Sequence, residues 1–556
     1  MKNTIKKLFC TALCLILTIT IFAGCSSNND KIDFIYPFSG DIKSFDPQIA
    51  KTADEFLLVE NCFEGLVRVN DNGKVQAGVA KTWEISNGGK TYTFHLRQGA
   101  KWNVKSTSQS SDNKELTKAQ ELMGESFNPD ITANDFVFAL QRACEKNTDA
   151  PLFSSISNIV NASKIHSGKL SSNKLGVKAL DDYTLEINLK SADDGFLNVL
   201  ATAVAMPCNK EYFNATKGRY GLGLDYTIFN GQFYVSNILE ASYILKNNKQ
   251  YVGDFKSAVT DITLKITDNT EDAAKNLKSG YYDAAYITGQ EYDKLKDSDI
   301  TAISYTDATL AMVLNKNNTI FSNDKLRQAV CLSISDIDTK KYDYLSRATS
   351  FTPPSCKIGT DEANKAIGTT VYKQNISKAQ QLWKEGLNEL GASQASFNVI
   401  ATEEYKDTVK ELVQGIQAGV GSISAYGNDD EHKISFSLKV NILSESDYQN
   451  ALSKGDYDIA LYKFTATNQS PLDFLSTIIN GNYIGTVPAA KKAQNATAAE
   501  LAVNTKECET EILADYSIKP VLFESSYYAQ ASGVKNVQFH PGSGRVSFVN
   551  ATREEK

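Results

Sequence analysis

Segments with a two-residue apolar period alternate along this chain with segments of helical period, and that mixture constrains its fold more than any other feature. Trp83 and Ile85 alternate with polar residues, Asn87-Gly88-Gly89 supplies the positive φ of a tight turn, and Tyr92, Phe94 and Leu96 resume the period, which predicts a hairpin. Thr132 with Asp135 three residues on resembles a capping box, and Phe136, Ala139, Leu140 and Ala143 then line one helix face. Tyr183, Leu185, Ile187 and Leu189 form another strand pattern, Asn230-Gly231 marks a turn before Phe233–Val235, and Ile262, Leu264 and Ile266 alternate before a helix capped by Thr270 and ended by Ser279-Gly280. Lys378–Leu390 puts Ala379, Leu382, Trp383, Leu387 and Leu390 on one side and stops at Gly391. Helices and strands mix over the whole length, so the class is α/β (mixed α+β). Single cores stop growing at about 250–300 residues, so a chain of 556 residues is expected to form two or three lobes.

Two segments echo each other: Leu277-Lys278-Ser279-Gly280-Tyr281-Tyr282-Asp283-Ala284-Ala285-Tyr286 and Leu452-Ser453-Lys454-Gly455-Asp456-Tyr457-Asp458-Ile459-Ala460-Leu461. Each reads as a helix end, a glycine stop, a Tyr-Asp pair and an apolar strand, as in a lobe whose helices alternate with strands. Between Val104 and Asp130 a polar stretch reads as a surface excursion with a short helix around Lys114–Met123.

The start of the chain is of another kind. Lys2, Lys6 and Lys7 precede a 15-residue uncharged run from Leu8 to Phe22, too short for a spanning helix and suited to a secretory signal over residues 1–24. Ala23-Gly24 before Cys25 resembles the bacterial lipobox, with Phe22 where that pattern prefers Leu; Cys25 is then the lipid-bearing first mature residue, and residues 25–31 a flexible tether. The net charge of −7 with no basic stripe argues against a nucleic-acid partner. Cys62, Cys144, Cys208, Cys331, Cys356 and Cys508 lack metal-site spacing and read as buried free thiols. The four histidines are far apart, and Asn428-Asp429-Asp430-Glu431-His432 reads as a solvated acidic turn, not a calcium loop, so neither metal nor cofactor is expected. The chain has no Gly-x-Ser-x-Gly, His-Glu-x-x-His or phosphate-loop motif, which leaves a secreted hydrolase the weakest reading.

Several stretches follow one another along the chain: Ser44-Phe45-Asp46-Pro47, Cys62-Phe63-Glu64-Gly65-Leu66, Gly78-Val79-Ala80-Lys81-Thr82-Trp83 with Tyr92-Thr93-Phe94-His95-Leu96-Arg97 and Ala100-Lys101-Trp102, Thr132–Val137, Leu180–Glu186, Asn230-Gly231 and Lys325-Leu326-Arg327-Gln328-Ala329. In this order they resemble the extracytoplasmic solute-binding proteins of family 5, the oligopeptide- and dipeptide-binding type. The resemblance runs from about Ile35 to Phe548. It implies a periplasmic-binding-protein type II-like fold with two ligand-clasping lobes and an extra one: lobe I over 32–58, 191–268 and 521–556, lobe II over 59–190, lobe III over 269–520. Trp83 and Trp102 then belong to the core of lobe II.

The family further implies a lipid-anchored monomer on the extracytoplasmic face of the membrane, with a peptide or peptide-like solute and ABC permease subunits as partners. A receptor for another solute, or a surface sensor or adhesin on the same fold, is the alternative. In relatives that take free peptides, an Asp after an apolar strand and before a Pro pairs with the ligand's α-amine. Here that position falls on Thr467, and a hydroxyl cannot supply a charge-assisted bond to an ammonium. The ligand-binding candidates are therefore Lys463, Phe464, Thr465 and Thr467 on this stretch, Phe523 and Glu524 near the C-terminus, and Asp41 after the first strand, with Asp41 and Glu524 as substitute anions.

Overall fold

The computed structural model describes residues 33–70, 74–104, 118–123, 127–255, 257–267, 271–359, 361–392, 394–421, 435–466, 469–480, 498–540 and 545–554. Its strands form three large sheets. The first orders Asp33–Phe38, Asp261–Ile266, Ser242–Asn247 and Phe233–Leu239, the first two parallel and the other pairings antiparallel. The second is antiparallel and orders Ala80–Ser86, Thr91–Leu96, Thr184–Asn188 and Val177–Asp181. The third has seven strands: Ala284–Ile287, Ile518–Gln530, Thr301–Leu314, Ile459–Thr465, Gln394–Thr402 and Ser435–Leu443 in order, with Leu345–Arg347 also paired to Ile518–Gln530. Strand Ile518–Gln530 is buried along its whole length and runs across the expected division at 520/521. Among the described residues no helix is long and apolar enough to cross a membrane.

Local chemistry accounts for the motifs. The predicted hairpin turns through Asn87, Gly88 and Gly89 at φ of 52°, 62° and 84°. Thr132 and Asp135 form the expected capping box, and Phe136, Ala139, Leu140 and Ala143 are fully buried. The helix Ile376–Leu390 ends at Gly391 with φ 59°. A short helix, Lys118–Met123, sits in the polar stretch, whereas Thr270, Cys25 and the tract 428–432 lie outside the described residues. Trp102 is fully buried, but Trp83 is half-buried on the outer strand of its hairpin. Asn230-Gly231 does more than turn the chain. The Asn230 amide pairs with both backbone groups of Glu64 (3.0 and 2.8 Å), and a Cβ on Gly231 would come within 2.5 Å of the Cys62 carbonyl carbon. Asp46 of the early motif accepts from the Gln48 N–H and from Arg142 (2.5 Å), whose guanidinium also stacks 4.3 Å over Phe213.

The echoed segments share one device. After Gly280 and Gly455, both left-handed (φ 71° and 67°), Asp283 and Asp458 each clasp one residue of a neighbouring strand. Asp283 donates its N–H to Ile35 O (2.9 Å) and accepts Ile35 N on its carboxylate (2.7 Å). Asp458 does the same to Asn398, at 3.0 and 2.6 Å. Asp283 also accepts Ala531 N on its carbonyl and pairs with Arg553 (3.2 Å), so it joins the first sheet to the third.

The C-terminal hairpin packs on the helix Ala53–Cys62 through a second buried knot. Glu60 faces Arg68, Arg545 and His540 at 3.4, 3.5 and 3.7 Å, and Asn61 bonds Val546 O and Phe548 N. Burial pushes the Glu60 carboxyl up, but His540, Arg545 and Arg68 outweigh burial and hold it down at about 2. Its folded value is depressed below the ordinary 4.5, so its contribution to stability is complete above 4.5 and is lost as pH falls from 4.5 towards 2. Glu60→Gln is expected to lose about 3–5 kcal/mol at pH 7, because it leaves buried cations uncompensated. It should lose less on acidification than the parent does. Denaturant titrations at pH 7 and pH 3 check this; equal acid sensitivity of the two proteins would refute it.

Candidate functional site

Three strands of the third sheet, Gln394–Thr402, Ser435–Leu443 and Ile459–Thr465, run parallel, so their carboxyl ends share one edge. Ligands of open α/β sheets bind outside that edge. The antiparallel neighbours bring other residues to it: Thr465 lies opposite Ala308, and Ala308 opposite Glu524. Side chains of paired residues share a face, so Lys463, Thr465 and Glu524 stand together.

Lys463 Nζ and Glu524 Oε1 are 2.7 Å apart, with the lysine a quarter exposed and the glutamate 1% exposed. The Tyr405 hydroxyl donates to the other Glu524 oxygen at 2.7 Å. Burial disfavours the Lys463 charge, but Glu524 and then Glu404 outweigh it and raise its pKa. For Tyr405, burial and then the Glu524 charge push the hydroxyl up.

A register shift between Tyr305 and Ala308 interrupts strand Thr301–Leu314 at its mouth, and Asp307 sits in that irregularity. It is 4% exposed. Its carbonyl accepts from Ala466 N (2.8 Å), and its carboxylate accepts from Ser526 Oγ (2.9 Å), which itself accepts from the Tyr286 hydroxyl (2.5 Å). Burial raises the Asp307 carboxyl to about 6 against the opposing effects of Ser526 and Lys463. No lysine or arginine among the described residues forms an ion pair with Asp307; Lys463, the nearby cation, is committed to Glu524. Tyr36 of the first sheet adjoins this group. Burial raises its hydroxyl pKa, and the charges of Asp54 and Tyr286 add to the effect.

The predicted residues therefore divide. Lys463 and Glu524, singled out separately, form one ion pair beside exposed Thr465. Phe464 and Phe523 are buried; the Phe464 ring packs 5.3 Å from Phe351 in a separate core cluster. Asp41 is half exposed and pairs with Lys43 at 2.7 Å, with no bond to the Lys463–Glu524 pair. Thr467 lies outside the described residues. Sequence reasoning missed Asp307, Ser526, Tyr405 and Glu404. Tyr286 closes the first echo segment, which was a signal for it; Asp307 had one in its place directly before the apolar run Ala308–Leu314. The cluster offers fixed charges and hydroxyls but no histidine or cysteine, which suits it to gripping a polar molecule.

Replacing Lys463 alone strands a buried carboxylate. Lys463→Met is expected to cost about 3 kcal/mol, and Lys463→Met with Glu524→Gln to recover more than half of that. A double-mutant cycle by thermal melting measures it; strict additivity of the two losses would exclude the coupling.

Comparison with known proteins gives a consistent picture. The model of the "Bacterial extracellular solute-binding proteins, family 5 Middle" matches residues 74–485. A dipeptide-binding protein of Lactococcus lactis is 24% identical over 564 residues, covering 95% of this chain and 96% of that protein. The periplasmic oligopeptide-binding protein OppA of Salmonella typhimurium is 25% identical over 565 residues, covering 96% and 95%. In structure, OppA of Listeria monocytogenes, solved bound to peptide, superposes with a TM-score of 0.68 at 21% identity, covering 95% of this chain and all of that one. The substrate-binding domain of a Bacillus anthracis oligopeptide ABC transporter also gives 0.68, at 23% identity. The fold is that of the type II periplasmic binding proteins.

Proposed function

The chain belongs to family 5 of the bacterial extracellular solute-binding proteins, and on that premise we propose that it captures peptides or peptide-like solutes between the lobes built on its first and third sheets. It passes them unaltered to the permease of an ABC importer. An extended peptide presents the same backbone donors and acceptors whatever its sequence, so strand edges can hold it without reading side chains. Water in the side-chain pockets absorbs the remaining variation. Lobe closure on the ligand shifts the open–closed balance, and the permease reads the closed form.

The observation that carries this reading is the cluster at the carboxyl edge of the third sheet, where Asp307, Glu524, Lys463 and Tyr286 meet Tyr36 of the first sheet. Asp307 is the proposed partner of the ligand's ammonium, with Thr465 beside it. It displaces Asp41 and Glu524 from that role because Asp41 is spent on Lys43 in solvent and Glu524 on Lys463 and Tyr405. An ammonium would supply the countercharge that the buried Asp307 carboxylate lacks.

The test is mass spectrometry of co-purifying molecules followed by calorimetry with the species found and with free-amine and N-acetylated peptides. Asp307→Asn should weaken free-amine binding at least about tenfold, or about 1.4 kcal/mol. Since Asp307 must be ionised to pair, affinity should fall as pH drops through about 6, and Asp307→Asn should abolish that dependence. Unchanged affinity in the variant would remove Asp307 from the site, and steady turnover of a bound peptide would remove the binding-protein reading.

Cys25 carries the proposed lipid, which would hold the mature monomer to the extracytoplasmic membrane face. Cells fed labelled palmitate should label the parent protein but not Cys25→Ala, which should escape into the medium. Retention of label by the variant would overturn the anchor.

A further inference from the structure

Beside the Lys463–Glu524 pair lies a polar cavity of about 180 Å³, walled by Tyr342, Tyr344 and Tyr405 and floored by Gln290, Glu404 and the start of the helix Lys406–Val420. It adjoins the cluster through two links. Tyr405 lines it while donating to Glu524, and Tyr344 lines it while its carbonyl accepts from Ser525 N (2.8 Å).

The carboxylates of the lining are unequally partnered. Glu403 is paired with Lys406 at 2.7 Å, and Asp407 with Lys341 and Lys410 at 3.3 and 3.6 Å. Glu404 has its backbone held by Gln290 (Nε2 to carbonyl oxygen, 2.8 Å), yet no lysine or arginine among the described residues lies within 4.0 Å of its carboxylate. Burial and then the like charge of Glu524 push its carboxyl up, against the weaker opposing effects of Lys463 and the Tyr405 hydroxyl. The aromatic wall is also of a kind that attracts cations: Lys341 Nζ already sits 4.9 Å from the Tyr342 ring. A lysine or arginine side chain has an apolar stem for the tyrosines and a charged head for the carboxylate.

We propose that this cavity is a side-chain subsite of the solute cleft that accepts a lysine or arginine side chain, with Glu404 as its counter-ion and Tyr344 and Tyr405 as its walls. The proposal rests on the peptide-capture reading and adds a preference to it. Glu404 sets specificity: a peptide without a cation there still binds through its backbone, but more weakly.

Calorimetry with tetra-alanine peptides carrying one lysine at each position in turn, against the same peptides with norleucine, measures the preference. At one position the lysine peptide should bind about tenfold tighter, and arginine should exceed citrulline likewise. Glu404→Gln should erase the preference, so that the lysine and norleucine peptides bind alike. Glu403→Gln, whose charge is already matched by Lys406, should retain it. A lysine preference absent from the parent protein, or preserved in Glu404→Gln, overturns the proposal. Failure of the wider reading looks different: no peptide of either kind binds. The cavity is then probed with n-butylammonium by NMR of tyrosine-labelled protein. Shifts that depend on Glu404 keep the cation site while the peptide reading falls; no such shifts end both.

Discussion

Two aspartates, each clasping both backbone groups of one residue on a neighbouring strand, hold this architecture in register. Asp458 ties the strand it precedes to Asn398 within the third sheet. Asp283 makes the same grip on Ile35, and there the partner belongs to the first sheet. With Ala531 on its carbonyl and Arg553 on its carboxylate, Asp283 gathers four distant stretches of chain at one buried point. A carboxylate that receives a backbone N–H and a guanidinium has charge-assisted partners on both oxygens, which is stronger than a neutral bond and directional. The discontinuous course of the chain needs such a fastening, because its first strand finds its sheet partner only at residues 261–266. The same point brings Tyr36 and Tyr286 together, so the junction between the sheets and the edge cluster are made by one arrangement.

The edge cluster shows how a sheet can carry buried charge without collapsing it into neutrality. Glu524 is matched by a lysine and a tyrosine, and removing either partner would leave desolvation uncompensated. Asp307 accepts from the Ser526 hydroxyl and forms no ion pair among the described residues, and burial raises its carboxyl to about 6, so that it is only about half ionised near that pH. One carboxylate has its charge satisfied internally; the other, whose charge is not, is the one proposed to meet a guest.

Much of the fold was legible in the sequence because periodicity, glycine stops and capping residues act locally. The hairpin at Asn87–Gly89, the helix after Thr132 and the helix ended by Gly391 follow from such signals. The candidate site was legible in part. Lys463 and Glu524 could be named from their positions, but their pairing depends on the register of three strands, with residues 308–310 between them. Asp307 stands directly before an apolar run, but its burial comes from an irregular strand, and period counting has no term for a bulge. Asn230-Gly231 read as a turn, but its demand for glycine comes from the Cys62 backbone, a contact 169 positions away in sequence that local rules do not reach.

The six cysteines of the described chain, Cys62, Cys144, Cys208, Cys331, Cys356 and Cys508, are each free and buried, and burial pushes their thiols up, to about 11 for Cys331 and about 12 for Cys144. Thiolate is the form that attacks a disulfide, so the native molecule presents almost none of it to an oxidising milieu. Folding of the described chain then calls for no disulfide to be made or reshuffled. The hazard is confined to the interval before the core closes, when speed of collapse, not redox chemistry, protects the chain from cross-linking to its neighbours.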